Sequence, residues 1–406
     1  DLHSFPTRRS SDLRTSSGNS AYNGGFLYCD GARVRFEKRA LFFGNESRDK
    51  GGAAYITNNS DVSFTDAVFD GNRSSGLGGA VYAESSVVTF KTNADKKTVF
   101  KNNSGLNGGD AVYAGDNSTV IFNNENGGAT EMYDAIAGSG KNARFIFRGG
   151  GRFNLYMNSF SNYADIINEG NFNLKNEAGL KAGQIENKSV VNINNGFKNI
   201  IEAKNFSSSG EIRMDIFSSE NSSDRIIVEE NVLLDSSTSV LKTFIDSSDD
   251  NFRRKTFKLI SYRGRVNGKF SSVSVSGIDL STTTTITDNP KIHYGDLFDN
   301  WITLTLYGKN IKTDFSSIQG LSFNQKQTAA VYDELSDIVK ENEDMDIVIS
   351  LIESAKDAQK RKNALSQSAG YFLANVIRSG GNVFESAEIY DRIAKESDDE
   401  NTKKGI

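Results

Sequence analysis

Gly78-Gly79-Ala80-Val81-Tyr82 is the stretch that decides how the rest of the chain is read, because its phrase returns. It recurs as Gly24-Gly25-Phe26-Leu27-Tyr28, as Gly51-Gly52-Ala53-Ala54-Tyr55 and, one residue looser, as Gly108-Gly109-Asp110-Ala111-Val112-Tyr113. The first glycines step by 27, 27 and 30 residues. A second phrase keeps pace in Phe42-Phe43-Gly44-Asn45, Phe69-Asp70-Gly71-Asn72 and Phe100-Lys101-Asn102-Asn103. Between them lies a short alternating strand, seen as Val34-Arg35-Phe36, Val62-Ser63-Phe64, Val88-Thr89-Phe90 and Val120-Ile121-Phe122.

A period in this range marks a solenoid, in which each repeat buries its apolar face only against its neighbours. The repeat holds strands and turns and no helix. Val62 and Phe64 point one way and Ser63 the other, as a half-buried strand requires. Paired glycines permit positive φ at corners that have no room for Cβ. The Asn of Phe-x-x-Asn tolerates the left-handed region, and stacked Asn amides can bond along the axis from coil to coil. The reading is all-β: a right-handed parallel β-helix, followed by a C-terminal α-helical linker.

The two phrases in register resemble the polymorphic membrane proteins of chlamydiae, over roughly residues 18–128. The departures are Phe26 and Asp110 where that family has a small third residue, and Asp110 is expected to distort its coil.

Gly 37 against Pro 2 suits stacked strands, since proline cannot donate within a ladder. A formal charge of −5, from Lys+Arg 47 and Asp+Glu 52, does not suggest a nucleic-acid partner. Mean hydropathy is −0.47, and no apolar run approaches the ~18 residues that a membrane-spanning helix needs. The single cysteine, Cys29, rules out an internal disulfide framework and reads as a small buried side chain.

Taken in order, residues 1–13 (His3 to Leu13 above all) resemble the translation of a sequencing adapter. They are expected to be disordered and are set aside from the fold reading. Residues 14–209 form the β-helix. The signature thins after about residue 130, but Phe145-Ile146-Phe147, Phe153-Asn154-Leu155, Phe172-Asn173-Leu174 and Val190-Val191-Asn192-Ile193 keep the strand-and-turn texture.

From 210 to 314 the strands lengthen, in Glu211 to Ile216, Ser223 to Val228, Thr256 to Ile260, Gly268 to Phe270 and Trp301 to Leu306. Their order resembles the end of autotransporter passengers, which implies a cap that seeds folding. An open solenoid end would otherwise expose unpaired edges. Residues 315–406 turn helical: Val331, Leu335, Ile338 and Val339 share one face. Segments Ile347 to Ala355, Leu365 to Ile377 and Val383 to Ile393 continue the pattern around the break at Gly380-Gly381. Phe323 to Val331, Ala364 to Tyr371 and Asp391-Arg392-Ile393 resemble the phrases that precede an autotransporter's translocator barrel. The chain is thus expected to be a fragment, without the signal peptide and β-barrel of that family.

Chemistry is sparse. A serine triad needs a histidine base, and outside the first 13 residues only His293 remains, read as a surface or turn residue. Zinc lacks ligands. Gly138-Ser139-Gly140-Lys141-Asn142 departs from a phosphate loop and reads as a turn. Asp66, Asp70, Asp110 and Asp116 are the carboxylates that a β-helix lyase or hydrolase would use, yet they read as solvated loop residues. Arg253-Arg254-Lys255 and Lys360-Arg361-Lys362 read as solvated faces. The rows Tyr28-Tyr55-Tyr82 and Phe42-Phe69-Phe100 are expected to stack ~4.8 Å apart, in or near the core rather than as a sugar ladder. Asn363, Asn375 and Asn382 stand singly, so the self-cleavage of some autotransporters between paired asparagines is not carried over.

No catalytic, cofactor-binding or metal residue is named, and the chain is read as a non-enzyme. The resemblance implies a passenger displayed on the bacterial outer membrane with an adhesin-like role. Its partners would be a host or environmental protein or glycan, its own barrel and the assembly machinery. The alternatives are a β-helix polysaccharide lyase or hydrolase, and a structural coat component.

Overall fold

A computed structural model describes residues 8–9, 15–161, 164–245, 254–277, 291–295, 300–307, 315–335 and 359–365. The chain divides into two units. One comprises residues 1–249, 256–278 and 290–305, and the other residues 250–255, 279–289 and 306–406.

The first unit is built almost wholly from parallel strands, each paired with its equivalent one repeat later. Leu41–Phe43 lies beside Val68–Asp70, which lies beside Lys97–Lys101, so that Phe42, Phe69 and Phe100 face one another in register. Asp61–Thr65, Val87–Thr92 and Thr119–Asn124 do the same, as do Ala54–Thr57, Val81–Ala83 and Val112–Ala114. A separate four-stranded sheet stacks Ser20–Ala21, Glu46–Ser47, Arg73–Ser74 and Ser104–Gly105. After residue 130 the pairing continues at a shorter step: Arg152 faces Asn171 and Asn171 faces Val190.

In-register pairing brings identical side chains together, and the core follows from that. Phe42, Phe69 and Phe100 stack at 4.6 and 4.8 Å. A second column runs Phe36, Phe64, Phe90, Phe122 and Phe147, at 5.0 to 5.7 Å. The columns meet edge to face, as at Phe64 and Phe69 (5.3 Å, 81°), the geometry that ring quadrupoles favour. Cys29 is buried in the same interior.

The asparagines form a buried ladder. Asn45 donates through Nδ2 to Oδ1 of Asn72 (2.9 Å), and Asn72 does the same to Asn103 (2.8 Å). Asn103 donates to Asp134 (2.7 Å), where the ladder ends because a carboxylate has no N–H to pass on. The left-handed residue, however, is not this Asn. It sits one position earlier, at Gly44 (φ 54°), Gly71 (φ 67°) and Asn102 (φ 57°). That turn is what swings the next side chain inward.

The glycine pairs divide their labour. The first glycine takes positive φ at Gly24, Gly51 and Gly78. The second makes room: a Cβ on Gly52 would meet Arg73 N at 2.6 Å, and one on Gly79 would meet Ser104 N at 2.6 Å. By register, Val112 and Tyr113 match Val81 and Tyr82, so Asp110 replaces the second glycine and not the small third residue. A side chain fits there because the four-stranded sheet ends at Ser104–Gly105, leaving no further strand among the described residues to press on it. Asp110 uses the room to accept the Gly105 N–H at 3.0 Å, and Gly108 (φ 120°) absorbs the extra residue.

Arg8–Arg9, inside the segment that sequence reading sets aside, pairs in parallel with Val34 and Arg35. An open row of backbone donors and acceptors accepts any extended segment. Residues 1–7 and 10–13 lie outside the described residues. Towards the other end, Glu211–Phe217 pairs with Val240–Ile245, and the latter with Ser272–Ser276. Lys291–His293 runs antiparallel to Trp301–Tyr307.

In the second unit, the helix Phe323–Leu335 opens with a capping box. Ser322 Oγ accepts the Gln325 N–H (3.4 Å) while Gln325 Oε1 accepts that of Ser322 (2.8 Å). Ala329 and Tyr332 are buried, the latter edge-on to Phe315 at 6.1 Å. Residues 359–365 are helical. Ile338, Val339, Ile347 to Ala355, Ala369 to Ile377 and Val383 to Ile393 lie outside the described residues.

Candidate functional site

One series of paired strands carries an outer face unlike the others. It runs through Lys97–Lys101, Ala129–Met132, Arg144–Leu155, Asp165–Leu174, Val190–Asn192, Glu211–Phe217 and Val240–Ile245. Strand alternation turns Phe100, Met132, Leu155, Leu174 and Met214 inward, where all are buried. The intervening residues form two outward columns. The first reads Lys97, Ala129, Arg152, Asn171, Val190, Glu211, Val240, and the second Val99, Glu131, Asn154, Asn173, Asn192, Arg213, Lys242.

Glu131 is the centre of this face. Its Oε2 accepts from Asn154 Nδ2 (3.1 Å) and from the Tyr156 hydroxyl (3.0 Å), and its Oε1 lies 3.2 Å from Lys97 Nζ. Burial opposes its ionisation, but these donors outweigh that and hold the carboxyl below its ordinary value. Burial and the adjoining Glu131 push the Tyr156 hydroxyl up, so it stays protonated and donates. The Tyr156 ring stacks on Tyr133 at 4.5 Å and 16°, and Tyr133 is 44% exposed.

One group at this centre is left over. Asn154 is 6% exposed, and its Oδ1 has no hydrogen-bond partner among the described residues. A buried acceptor without a donor costs ~1–3 kcal/mol. Beside it, the Arg148-to-Arg152 register shift forms a bulge through Gly149, Gly150 and Gly151. The bulge borders a groove of about 290 Å³ lined also by Arg152, Asn171, Asn173 and Arg213. Arg213 is paired to Glu211, which also holds Lys242 Nζ at 2.7 Å. Arg152 is exposed and has no ion-pair partner among the described residues.

The residues considered from sequence do not converge here. Asp66 accepts the Asn93 backbone and side-chain N–H (both 2.8 Å), and Asp70 pairs with Lys101 (3.3 Å). Asp116 accepts the Lys141 N–H (2.8 Å), so Ser139 to Asn142, which follows the strand Ile136–Gly138, is a turn docked on the preceding repeat. His293 is exposed opposite Thr303. Asn363 accepts from Gln359 (3.1 Å), while Asn375, Asn382 and Arg253 lie outside the described residues.

Tyr28, Tyr55, Tyr82 and Tyr113 stack at 5.3 to 5.5 Å, but their burial is uneven. Tyr82 is buried beneath Lys50, whose Nζ lies 4.6 Å from the ring centre, whereas Tyr28 is 51% exposed. Among the described residues no group of three or more His, Cys, Asp or Glu could hold a metal ion. No described helix is long and apolar enough to cross a membrane.

Glu131, Tyr133, Asn154 and Tyr156 were missed because the glycine signature fades before them. A signal existed. Glu131-Met132-Tyr133 and Asn154-Leu155-Tyr156 share the order polar, apolar, tyrosine, and they pair in register. Compared with known proteins, the chain matches no family model. Nor does it match any curated protein.

Proposed function

We propose that the parallel layers are turns of a right-handed β-helix and that the chain is the binding passenger of an autotransporter-type surface protein. The observation that supports this best is the outer face around Glu131, where a stacked tyrosine pair lies beside amide and charged side chains carried on successive strands. A face that runs across many layers suits many weak contacts with an extended partner. The core of stacked Phe and Asn makes the scaffold that holds them. Residues 210–314 act as the cap that templates stacking during secretion, and residues 315–406 as the linker towards a translocator barrel and its assembly machinery. The place of action is the outer-membrane surface.

The test has two arms. Joined behind a signal peptide and ahead of a translocator barrel, residues 14–406 are expected to reach the surface of a Gram-negative cell, as read by protease shaving. Deletion of residues 210–314 is expected to abolish display. The purified chain is expected to bind cultured epithelial cells saturably. Display without the cap, or no saturable binding, overturns the corresponding half of the reading.

A further inference from the structure

We propose that the face from Tyr133 to Arg152 binds the sugar rings of an extended glycan that carries carboxylates. This rests on the reading of the chain as a surface-binding protein and adds the class of ligand. Three independent features point the same way.

The first is the aromatic pair. Tyr133 is 44% exposed and lies parallel to Tyr156, whose hydroxyl is tied to Glu131. A ring held so firmly offers a flat apolar surface to the C–H face of a pyranose at little cost in side-chain freedom.

The second is the orphaned Asn154 Oδ1, an acceptor buried between Glu131 and Asn173 in the neighbouring layers. The atom is shut off from solvent, so a sugar hydroxyl would supply the donor it lacks only once the groups that cover it give way. The Glu131 carboxylate, ionised and 6% exposed, accepts hydroxyl donors beside it.

The third is Arg152, two residues from Asn154 on the same side of the strand and therefore ~6.6 Å along it. Arg152 is exposed, has no carboxylate partner among the described residues, and borders the 290 Å³ groove. A planar fork of donors matches a carboxylate in two parallel bonds. Layers ~4.8 Å apart advance by about as much as one ring of an extended glycan, so successive rings meet successive layers.

The experiment is titration calorimetry on the full chain. The probes are a hexasaccharide of alternating glucuronate and N-acetylglucosamine, its carboxyl-reduced form, and polyglutamate of similar charge. The acidic glycan is expected to bind saturably and the reduced form about fivefold more weakly. Tyr133→Ala is expected to weaken both by about tenfold with unchanged melting, and Tyr133→Trp to restore them. Arg152→Ala is expected to erase the difference between the two glycans. Binding of polyglutamate as tight as that of the glycan, or glycan binding indifferent to Tyr133→Ala, overturns the proposal. No saturable binding of either glycan also overturns it. If the same preparation still binds cells, the surface-binding reading stands and only the ligand class falls.

Discussion

Asn72 donates through its side-chain amide to Oδ1 of Asn103 at 2.8 Å, although 31 residues separate the two in sequence. Both are buried. Asn72 also accepts from the backbone N–H (3.1 Å) and the amide of Asn45, and donates to the Phe42 carbonyl (2.9 Å). One side chain thus ties three layers together.

Asn72→Leu, similar in size, is therefore expected to destabilise the chain by about 3 kcal/mol, because the buried Asn45 backbone N–H loses its Asn72 Oδ1 acceptor and the Asn45 amide, Asn103 Oδ1 and the Phe42 carbonyl each lose one bond. Urea denaturation followed by far-ultraviolet circular dichroism reads the change. A shift below 1 kcal/mol, by order of magnitude, would show that the ladder is incidental.

Phe69 is fully buried, stacked between Phe42 and Phe100 and edge-on to Phe64 and Phe90. Phe69→Ala is expected to cost about 3–5 kcal/mol. Phe69→Leu, which leaves far less empty volume, is expected to cost about half of that or less. Equal losses for the two would mean that cavity size does not govern this core.

The two kinds of corner glycine are separable by substitution. Gly31 has φ of 60°, but a Cβ there would meet nothing nearer than Asn58 O at 3.5 Å, an ordinary contact. Gly31→Ala is expected to cost ~1–2 kcal/mol, the strain of the left-handed backbone. On Gly52, a Cβ would lie 2.1 Å from the Gly79 carbonyl oxygen, and backbone cannot step aside. Gly52→Ala is expected to cost about 3 kcal/mol or more and to broaden the unfolding transition. Melting curves of the two variants side by side provide the comparison.

Asp224 is fully buried, and its carboxylate accepts the Asn199 N–H (2.8 Å) and the Asp215 N–H (2.6 Å). Burial pushes its carboxyl up to about 8, and the neighbouring Asp215 adds to that, against the pull of the two N–H donors. A folded-state value above the ordinary 3.8 means that the folded chain holds the extra proton between those limits. Stability from this group is thus present at low pH, is lost as pH rises towards about 8, and is level above it. The slope is at most ~1.4 kcal/mol per pH unit. Urea midpoints measured from pH 5 to pH 9 are expected to fall with pH in the native chain and to fall less in Asp224→Asn. Parallel profiles for the two would remove Asp224 as the cause.

Much of the layering was legible because in-register stacking repeats the same demands on the same residue types. A phenylalanine that must lie on its equivalent appears at the same place in each repeat, as Phe42, Phe69 and Phe100 do. The left-handed residue was misplaced by one position for a physical reason. Asn, like Gly, tolerates positive φ, and only Asn102 standing where Gly44 and Gly71 stand identifies which position bears the strain. Asp110 was misaligned because an inserted glycine hides its register from a simple count. The face around Glu131 went unread because a binding surface is not obliged to repeat. Its residues differ from layer to layer, as Glu131, Asn154 and Asn173 do.

What the amino-acid order alone determined is the period, the alternation and hence the all-β, parallel character of residues 15–245. Those depend on short-range rules: which side of a strand a residue faces, and where a corner has room for no Cβ. What only the tertiary structure decided is which polar groups find partners across layers. Asn103 meets Asp134, and Lys97 and Tyr156 meet Glu131, whereas Asn154 Oδ1 finds no donor and the Arg152 guanidinium no ion-pair partner among the described residues. Pairing of that kind depends on distances between atoms tens of residues apart, which are set only once the layers have stacked.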